Sequence, residues 1–225
     1  MLFRSYYSRC GRDEPQVLVE AALAGGISVL GITDHAHGIG ERLDEYRWEM
    51  DRLAERYRDR IKILCGIEIA TAPHRYDDRL PEALGAFDYC LIEHLTNEDS
   101  CVGRNFLDYC KRVPIPCGIA HTDMFRFCEM YGFDPETYFR QLAELGIFWE
   151  INVRCDQTHG YRRNAYVQEL MQDEEKLAIV KASGLSLSLA SDCHRANEYD
   201  AYALYQAHAF FTQHGIPIVD VPRKG

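Results

Sequence analysis

The chain has 225 residues, of which 47% are hydrophobic, and its formal net charge is −10. A chain of this length can bury one sizeable core, so we expect a single domain over residues 1–225. It has no apolar run of about 18 residues and no signal-peptide pattern, so we predict a cytoplasmic protein without a membrane span. The acidic balance and the lack of a Lys/Arg cluster argue against nucleic acid as the main partner.

The cysteines also indicate an intracellular protein. All nine cannot pair, because nine is odd, and most lie inside apolar runs, as at Cys65, Cys90, Cys117 and Cys193. This pattern is typical of reduced, buried thiols rather than of a disulfide framework. No Cys-x-x-Cys pair occurs, so neither a zinc knuckle nor a redox motif is predicted.

Short apolar runs alternate with amphipathic segments along the whole chain. For the first helix, Asp13 is the predicted cap and Pro15 lies in the first turn. In chain order, the pattern predicts a strand at 2–5, a helix at 15–24, a strand at 29–38, a helix at 43–60, a strand at 61–70, a loop with a short helix at 71–87, a strand at 89–95, a helix at 103–112, a strand at 116–123, a helix at 135–145, a strand at 147–153, a helix at 165–183, a strand at 185–194, a helix at 199–213 and an extended segment at 216–221.

Seven strands that alternate with helices predict an α/β fold with a parallel sheet. The closed arrangement is a barrel related to the (β/α)8 fold, and the alternative is an open doubly wound sheet. An open sheet concentrates its site at one switch point, whereas a barrel builds its site from the carboxyl ends of all strands. Polar residues follow nearly every predicted strand here, which favours the barrel.

Acidic, amide and histidine side chains stand at the ends of six predicted strands. They are Asp34 and His35, Glu68, Glu93 and His94, His121 and Asp123, Glu150 and Asn152, and Asp192 and His194. In a barrel these side chains converge, and a mixture of imidazole and carboxylate suits Zn, Mn or Fe. Glu68 could bridge two ions; the alternative is an ion pair with an arginine, because a buried carboxylate without a partner is costly.

Such a metal cluster predicts hydrolysis, since one ion activates water while its neighbours bind the substrate oxygens. Phosphate esters suit this arrangement, so a small phosphorylated substrate is expected. Arg195 directly follows His194 and could contact a phosphate; the alternative is an ordinary surface arginine.

Five short segments contain most of these strand-end residues, namely 32–35 (ITDH), 66–68 (GIE), 119–121 (IAH), 150–152 (EIN) and 191–194 (SDCH). They resemble motifs of the PHP (polymerase and histidinol phosphatase) family of metal-dependent phosphoesterases. The resemblance implies a distorted (β/α)7 TIM-like barrel that holds up to three divalent metal ions. It implies that Glu68 bridges two ions and that Asp192 completes the first site. His121 and His94 would hold the second ion, and His35 and His194 would belong to the third.

The chain departs from the family pattern at its start, where the family has His-x-His. The matching positions carry Leu2, which has no donor atom, and Arg4, which is positively charged. One or two metals are therefore expected instead of three. Cys10 lies where some members place a ligand of the third site, and a buried or loop thiol is the alternative. His37 is left without a role.

The leading hypothesis is a metal-dependent phosphatase, similar to histidinol phosphatase, with Glu68, Asp192 and His35 as its catalytic residues. The alternative is a barrel protein that binds a ligand without hydrolysis, in which Arg4 replaces a metal's charge and holds an anion. A third reading, a proofreading nuclease, is disfavoured by the acidic charge and by the lack of an appended domain.

Overall fold

The computed structural model describes residues 2–153, 165–219 and 222, and residues 220 and 221 of the predicted terminal segment lie outside this part. The strands are β1 Leu2–Phe3, β2 Val29–His35, β3 Lys62–Ala70, β4 Tyr89–Glu93, β5 Cys117–Ile119, β6 Phe148–Asn152 and β7 Leu187–Ala190. The helices are α1 Pro15–Ala24, α2 Ala36–Ile39, α3 Leu43–Tyr57, α4 Leu80–Ala83, α5 Phe106–Arg112, α6 Met124–Tyr131, α7 Pro135–Glu144, α8 Ala165–Gln172, α9 Glu174–Ser183 and α10 Ala201–Gln213.

The strands form one parallel sheet in which each strand pairs with the next along the chain, from β1 to β7. A doubly wound sheet reverses its strand order at a switch point, and this order has no reversal, so the open alternative is wrong. The sheet curls until its two ends meet, because the backbone N–H of Arg4, just after β1, donates to the carbonyl of Cys193, just after β7, at 3.1 Å. The fold is a parallel α/β fold consistent with a distorted TIM-like barrel.

The two faces of the sheet bury different cores. The outer face packs against the helices in the larger apolar cluster. The inner face forms a small cluster of its own, built from Leu64, Tyr89, Leu91, Ala120, Phe148 and Ala190. Because side chains alternate along a strand, the residues at even spacing from this cluster also face inward at the carboxyl edge, and these are acidic on three strands: Glu68, Glu93 and Glu150.

Gly66 shows how tightly the interior is filled. A Cβ atom added at this inward-facing position would overlap the ring of Tyr89 and the hydroxyl of Thr33. The strand must therefore carry glycine here for the two neighbouring side chains to meet, which they do through a hydrogen bond between their hydroxyl groups.

Several element predictions need correction. The helix predicted at 165–183 is two helices, because the Asp173 carboxylate accepts hydrogen bonds from the backbone of Glu175 and Lys176 and starts α9. Helix α6 was not predicted; Asp123, expected among the strand-end site residues, is its N-cap. Asp13 does not cap α1, which follows Glu14; its carboxylate accepts the backbone N–H of Ala196 at 2.7 Å.

Two predictions from composition can be compared with the structure. Cys65, Cys90, Cys117 and Cys193 are buried, and within the described residues every cysteine is a thiol outside any disulfide. Among the helices of the described part, none has the length and apolar character needed to cross a membrane.

Candidate functional site

Three buried side chains on neighbouring strands form the centre of the site. His35 ends β2, Glu68 lies directly opposite it on β3, and Glu93 ends β4, opposite Ala70. The register therefore brings one imidazole and two carboxylates together at the carboxyl edge. One donor atom from each lies within 4.8 Å of the others.

The spacing and chemistry of this triad fit a divalent metal ion. His35 Nε2 lies 3.8 Å from Glu68 Oε2 and 3.5 Å from Glu93 Oε1. Around a tetrahedral zinc ion with bonds of about 2.1 Å, neighbouring ligand atoms lie about 3.4 Å apart. Imidazole and carboxylate are also the ligand types that suit Zn, Mn and Fe. The donor set of this chain therefore fits the metal centre that the sequence motifs imply.

Two further histidines surround the acidic side of the triad. His121 Nε2 lies 3.3 Å from Glu68 Oε1 and 3.8 Å from Glu93 Oε2. His94 Nε2 lies 3.4 Å from the same Glu93 oxygen. His94 has a backbone φ of 66°, a left-handed conformation that a residue with a side chain rarely adopts. This turn of the backbone directs His94 to the side of the sheet that Glu93 already faces.

These neighbours change the protonation of both histidines. Burial lowers the pKa of His94. Burial also opposes charge on His121, but the carboxylates of Glu68 and Asp192 outweigh it and raise the His121 pKa to about 10. Without a metal ion His121 is therefore a cation at neutral pH, and its positive charge helps to neutralise the acidic cluster.

The guanidinium of Arg4 lies inside the same cluster. Its Nε donates to Asp192 Oδ1 at 2.6 Å, and its Nη2 lies 2.8 and 3.0 Å from the two oxygens of Glu68. Nη2 also lies 3.3 Å from His121 Nε2, and Nη1 contacts both ring nitrogens of His35. Arg4 is 6% exposed. The arginine partner considered for Glu68 is thus present.

The Arg4 contacts explain the electrostatics of Asp192. Burial alone would raise the pKa of this carboxyl, but the charges of Arg4 and His121 lower it below its ordinary value. Asp192 has a left-handed φ of 47°, as His94 does at the end of β4. Strained backbone of this kind clusters at functional sites, and here both cases place a polar side chain at the same edge of the sheet.

Cys10 and His194 lie on the opposite side of His35 from Glu93. Cys10 Sγ is 3.4 Å from His35 Nδ1. Burial raises the pKa of this thiol, but hydrogen bonds with His194 and His35 outweigh it and lower the pKa to about 5. The three residues predicted for a third metal position, Cys10, His35 and His194, are thus neighbours.

Asp34 stabilises the turn that follows Arg4, and its side chain does not face the cluster. Its side chain points to the opposite side of β2 from His35, as strand alternation requires. Its Oδ1 accepts the backbone N–H of Ser5 at 2.8 Å and of Ser8 at 2.9 Å, and its Oδ2 accepts the Ser5 hydroxyl at 2.6 Å. The buried carboxylate therefore holds the chain directly after Arg4.

The remaining candidates lie around this centre. Glu150 faces the interior, and burial raises its pKa to about 8, so it is largely protonated at neutral pH. The His37 ring is half-buried, with its centroid 4.8 Å from that of His35. Arg195 is exposed, and no contact of its side chain with the cluster occurs within the part of the chain described.

The structure thus brings together every residue predicted as a metal ligand, together with Arg4. Glu93 also lies in this centre. The sequence predicted it at a strand end, but it predicted only its neighbour His94 as a metal ligand. The signal that could have identified it is the alternation on β4: Tyr89 and Leu91 belong to the inner cluster, so Glu93 must face the same way.

Comparisons with known proteins support the fold. No family model matches the chain, and no curated protein matches it. A crystal structure of histidinol phosphate phosphatase from Lactococcus lactis, in complex with zinc, L-histidinol and phosphate, is similar over 99% of this chain and 96% of that one, with a TM-score of 0.65 and 19% identity. The proposed histidinol phosphatase from Listeria monocytogenes aligns over 96% of this chain and 91% of that one, with a TM-score of 0.44 and 14% identity, too distant to add to the argument. The chain therefore has the fold of the Lactococcus lactis structure.

Proposed function

We propose that this chain is a metal-dependent hydrolase of small phosphate esters, on a distorted (β/α)7 barrel of the PHP type. The observation that carries the proposal is the buried triad of His35, Glu68 and Glu93 at the carboxyl edge of the sheet. The similar fold of a phosphatase bound to zinc, L-histidinol and phosphate supports it and suggests histidinol phosphate as the first substrate to test.

The side chains of the triad and its neighbours suit different parts of this reaction. His35, Glu68 and Glu93 would hold an ion, with His121 and His94 next to them. When bound, such an ion supplies a Lewis acid for the phosphoryl oxygens and a water of lowered pKa. Asp192 follows β7 and pairs with Arg4, where it would orient a group of the substrate. We retain Arg195 as a phosphate contact, since it is exposed directly after His194.

Phosphate release after metal loading tests the proposal. The purified protein is stripped of metal, reloaded with Zn, Mn or Fe, and assayed with histidinol phosphate and a panel of small phosphomonoesters. We expect metal-dependent phosphate release that is lost in Glu68→Gln. Glu98→Gln changes an exposed glutamate of the same type outside the cluster and serves as the matched control. A metal-loaded protein that releases no phosphate from any ester would contradict the proposal.

A second candidate is a barrel protein that binds an anionic ligand without hydrolysis. The observation in its favour is the placement of Arg4, which already pairs with Glu68 and Asp192 and supplies positive charge without a metal. Binding of inorganic phosphate to the metal-free protein, measured by calorimetry and combined with no phosphate release after metal loading, would favour this candidate over the first.

A further inference from the structure

The guanidinium of Arg4 contacts the same side-chain atoms of Glu68 and His35 that would bind a metal ion. Its Nη2 lies 3.0 and 2.8 Å from the two oxygens of Glu68, and its Nη1 contacts His35 Nε2. The guanidinium therefore fills the space between Glu68 and His35 in which an ion bound to both side chains would lie. The observed position of Arg4 is therefore incompatible with an ion bound at the triad.

The position of Arg4 is built into the fold. Its backbone N–H donates to the carbonyl of Cys193 at 3.1 Å, which joins the two ends of the sheet. The residue after it, Ser5, is held by the buried carboxylate of Asp34 through both its N–H and its hydroxyl. With the backbone fixed on both sides, only the side chain of Arg4 is able to leave the cluster.

The charges make this position stable without a metal. The Arg4 guanidinium is buried and pairs with two carboxylates, Asp192 at 2.6 Å and Glu68 at 2.8 Å. An arginine is not deprotonated in proteins, so a change of pH cannot remove this cation. A metal ion that approaches Glu68 would be repelled by the positive charge of Arg4, and both oxygens of Glu68 already pair with Arg4.

We propose that Arg4 is an internal cation that competes with a divalent metal ion for this centre, so that metal binds only when the guanidinium has left Glu68 and His35. This inference rests on the proposed function to the extent that the cluster is taken to be a metal centre. It adds that Arg4 determines how tightly the centre binds a metal ion. The apparent dissociation constant equals the intrinsic one divided by the fraction of molecules in which Arg4 is displaced.

Zinc titration of the metal-free protein by calorimetry, with zinc content measured in parallel, tests the competition. If Arg4 is displaced in fewer than about one molecule in ten, Arg4→Gln should bind zinc at least about tenfold more tightly than the wild type. Arg4→Lys keeps the charge and should bind more weakly than Arg4→Gln. Arg58→Gln removes an exposed arginine far from the cluster and should match the wild type. Equal zinc affinity of Arg4→Gln and the wild type would overturn the inference.

Melting temperature gives a second readout that does not depend on activity. A chelator should leave the wild type unchanged, because Arg4 supplies the missing charge. Arg4→Gln should melt lower without metal and recover with zinc. A wild type that loses stability on chelation as strongly as Arg4→Gln does would count against an internal cation.

The wild type alone can decide the question if the variants do not fold. The Nε–H of Arg4 donates to Asp192 Oδ1 at 2.6 Å and should give a protected, shifted NMR signal in the metal-free protein. Stoichiometric zinc should remove that protection. A signal that stays unchanged while zinc is bound would refute the competition. The proposed function fails by a different result, namely a zinc-loaded protein without phosphate release; if neither wild type nor Arg4→Gln binds zinc, both proposals fail.

Discussion

The buried carboxylate of Asp34 should contribute more to stability than any exposed helix cap of the same chemistry. Its side chain is fully buried and accepts three hydrogen bonds, two from backbone N–H groups and one from a hydroxyl. Asp34→Ala would leave two buried N–H groups without partners. Each hydrogen bond to a charged group contributes about 1.5–3 kcal/mol, and each unsatisfied buried donor costs about 1–3 kcal/mol.

These contributions overlap, since the same two N–H groups enter both. We therefore expect Asp34→Ala to lower the free energy of unfolding by roughly 3–5 kcal/mol. For a chain of this size, 1 kcal/mol corresponds to about 2–4 °C in melting temperature, so the fall should be roughly 6–20 °C.

Asp173 provides the matched control. Its carboxylate also accepts two backbone N–H groups, from Glu175 and Lys176, each at 3.0 Å, but it is half-buried at the start of α9. Water can replace those hydrogen bonds, so Asp173→Ala should cost only about 1 kcal/mol. Urea unfolding of the two variants and the wild type measures both values. If Asp34→Ala costs no more than Asp173→Ala, burial does not strengthen these hydrogen bonds and the reasoning is wrong.

Three further substitutions test other parts of the structure. Glu93→Gln should weaken zinc binding more than about 100-fold, because it removes a direct ligand rather than an outer-shell partner, whereas Glu98→Gln should not; calorimetry compares them. Gly66→Ala should lower the free energy of unfolding, measured with urea, by about 1–3 kcal/mol, because the added methyl group overpacks the sheet interior. Gly85→Ala is the control, because there is open space around its Cβ position, and it should lower this free energy far less. Tyr46→Phe removes a buried hydroxyl that donates to carbonyls on β2 and β3 at 2.9 and 3.0 Å, and it should lower the free energy of unfolding by about 1–2 kcal/mol, which the same assay measures.

The sequence alone determined the alternation of strands and helices and the edge of the sheet at which the site lies. Both follow from local patterns, namely apolar runs of strand length, amphipathic helical spacing and polar residues directly after each strand. Parallel strands all place their carboxyl ends at one edge, so Glu68, His121 and Asp192 could be assigned to a common site without a structure.

The tertiary structure decided which strand-end residues share the centre. Asp34 and His35 are adjacent in sequence, yet one holds a turn and the other belongs to the triad, because consecutive strand residues face opposite sides. Local alternation on β4 indicates that Glu93 faces inward, but only its register with β3, a non-local property, brings it to His35 and Glu68. The resemblance to the PHP family predicts that Arg4 stands at a position where the family has a histidine. Only the curled sheet, which brings the residue after β1 next to the one after β7, shows that its guanidinium pairs with both Glu68 and Asp192.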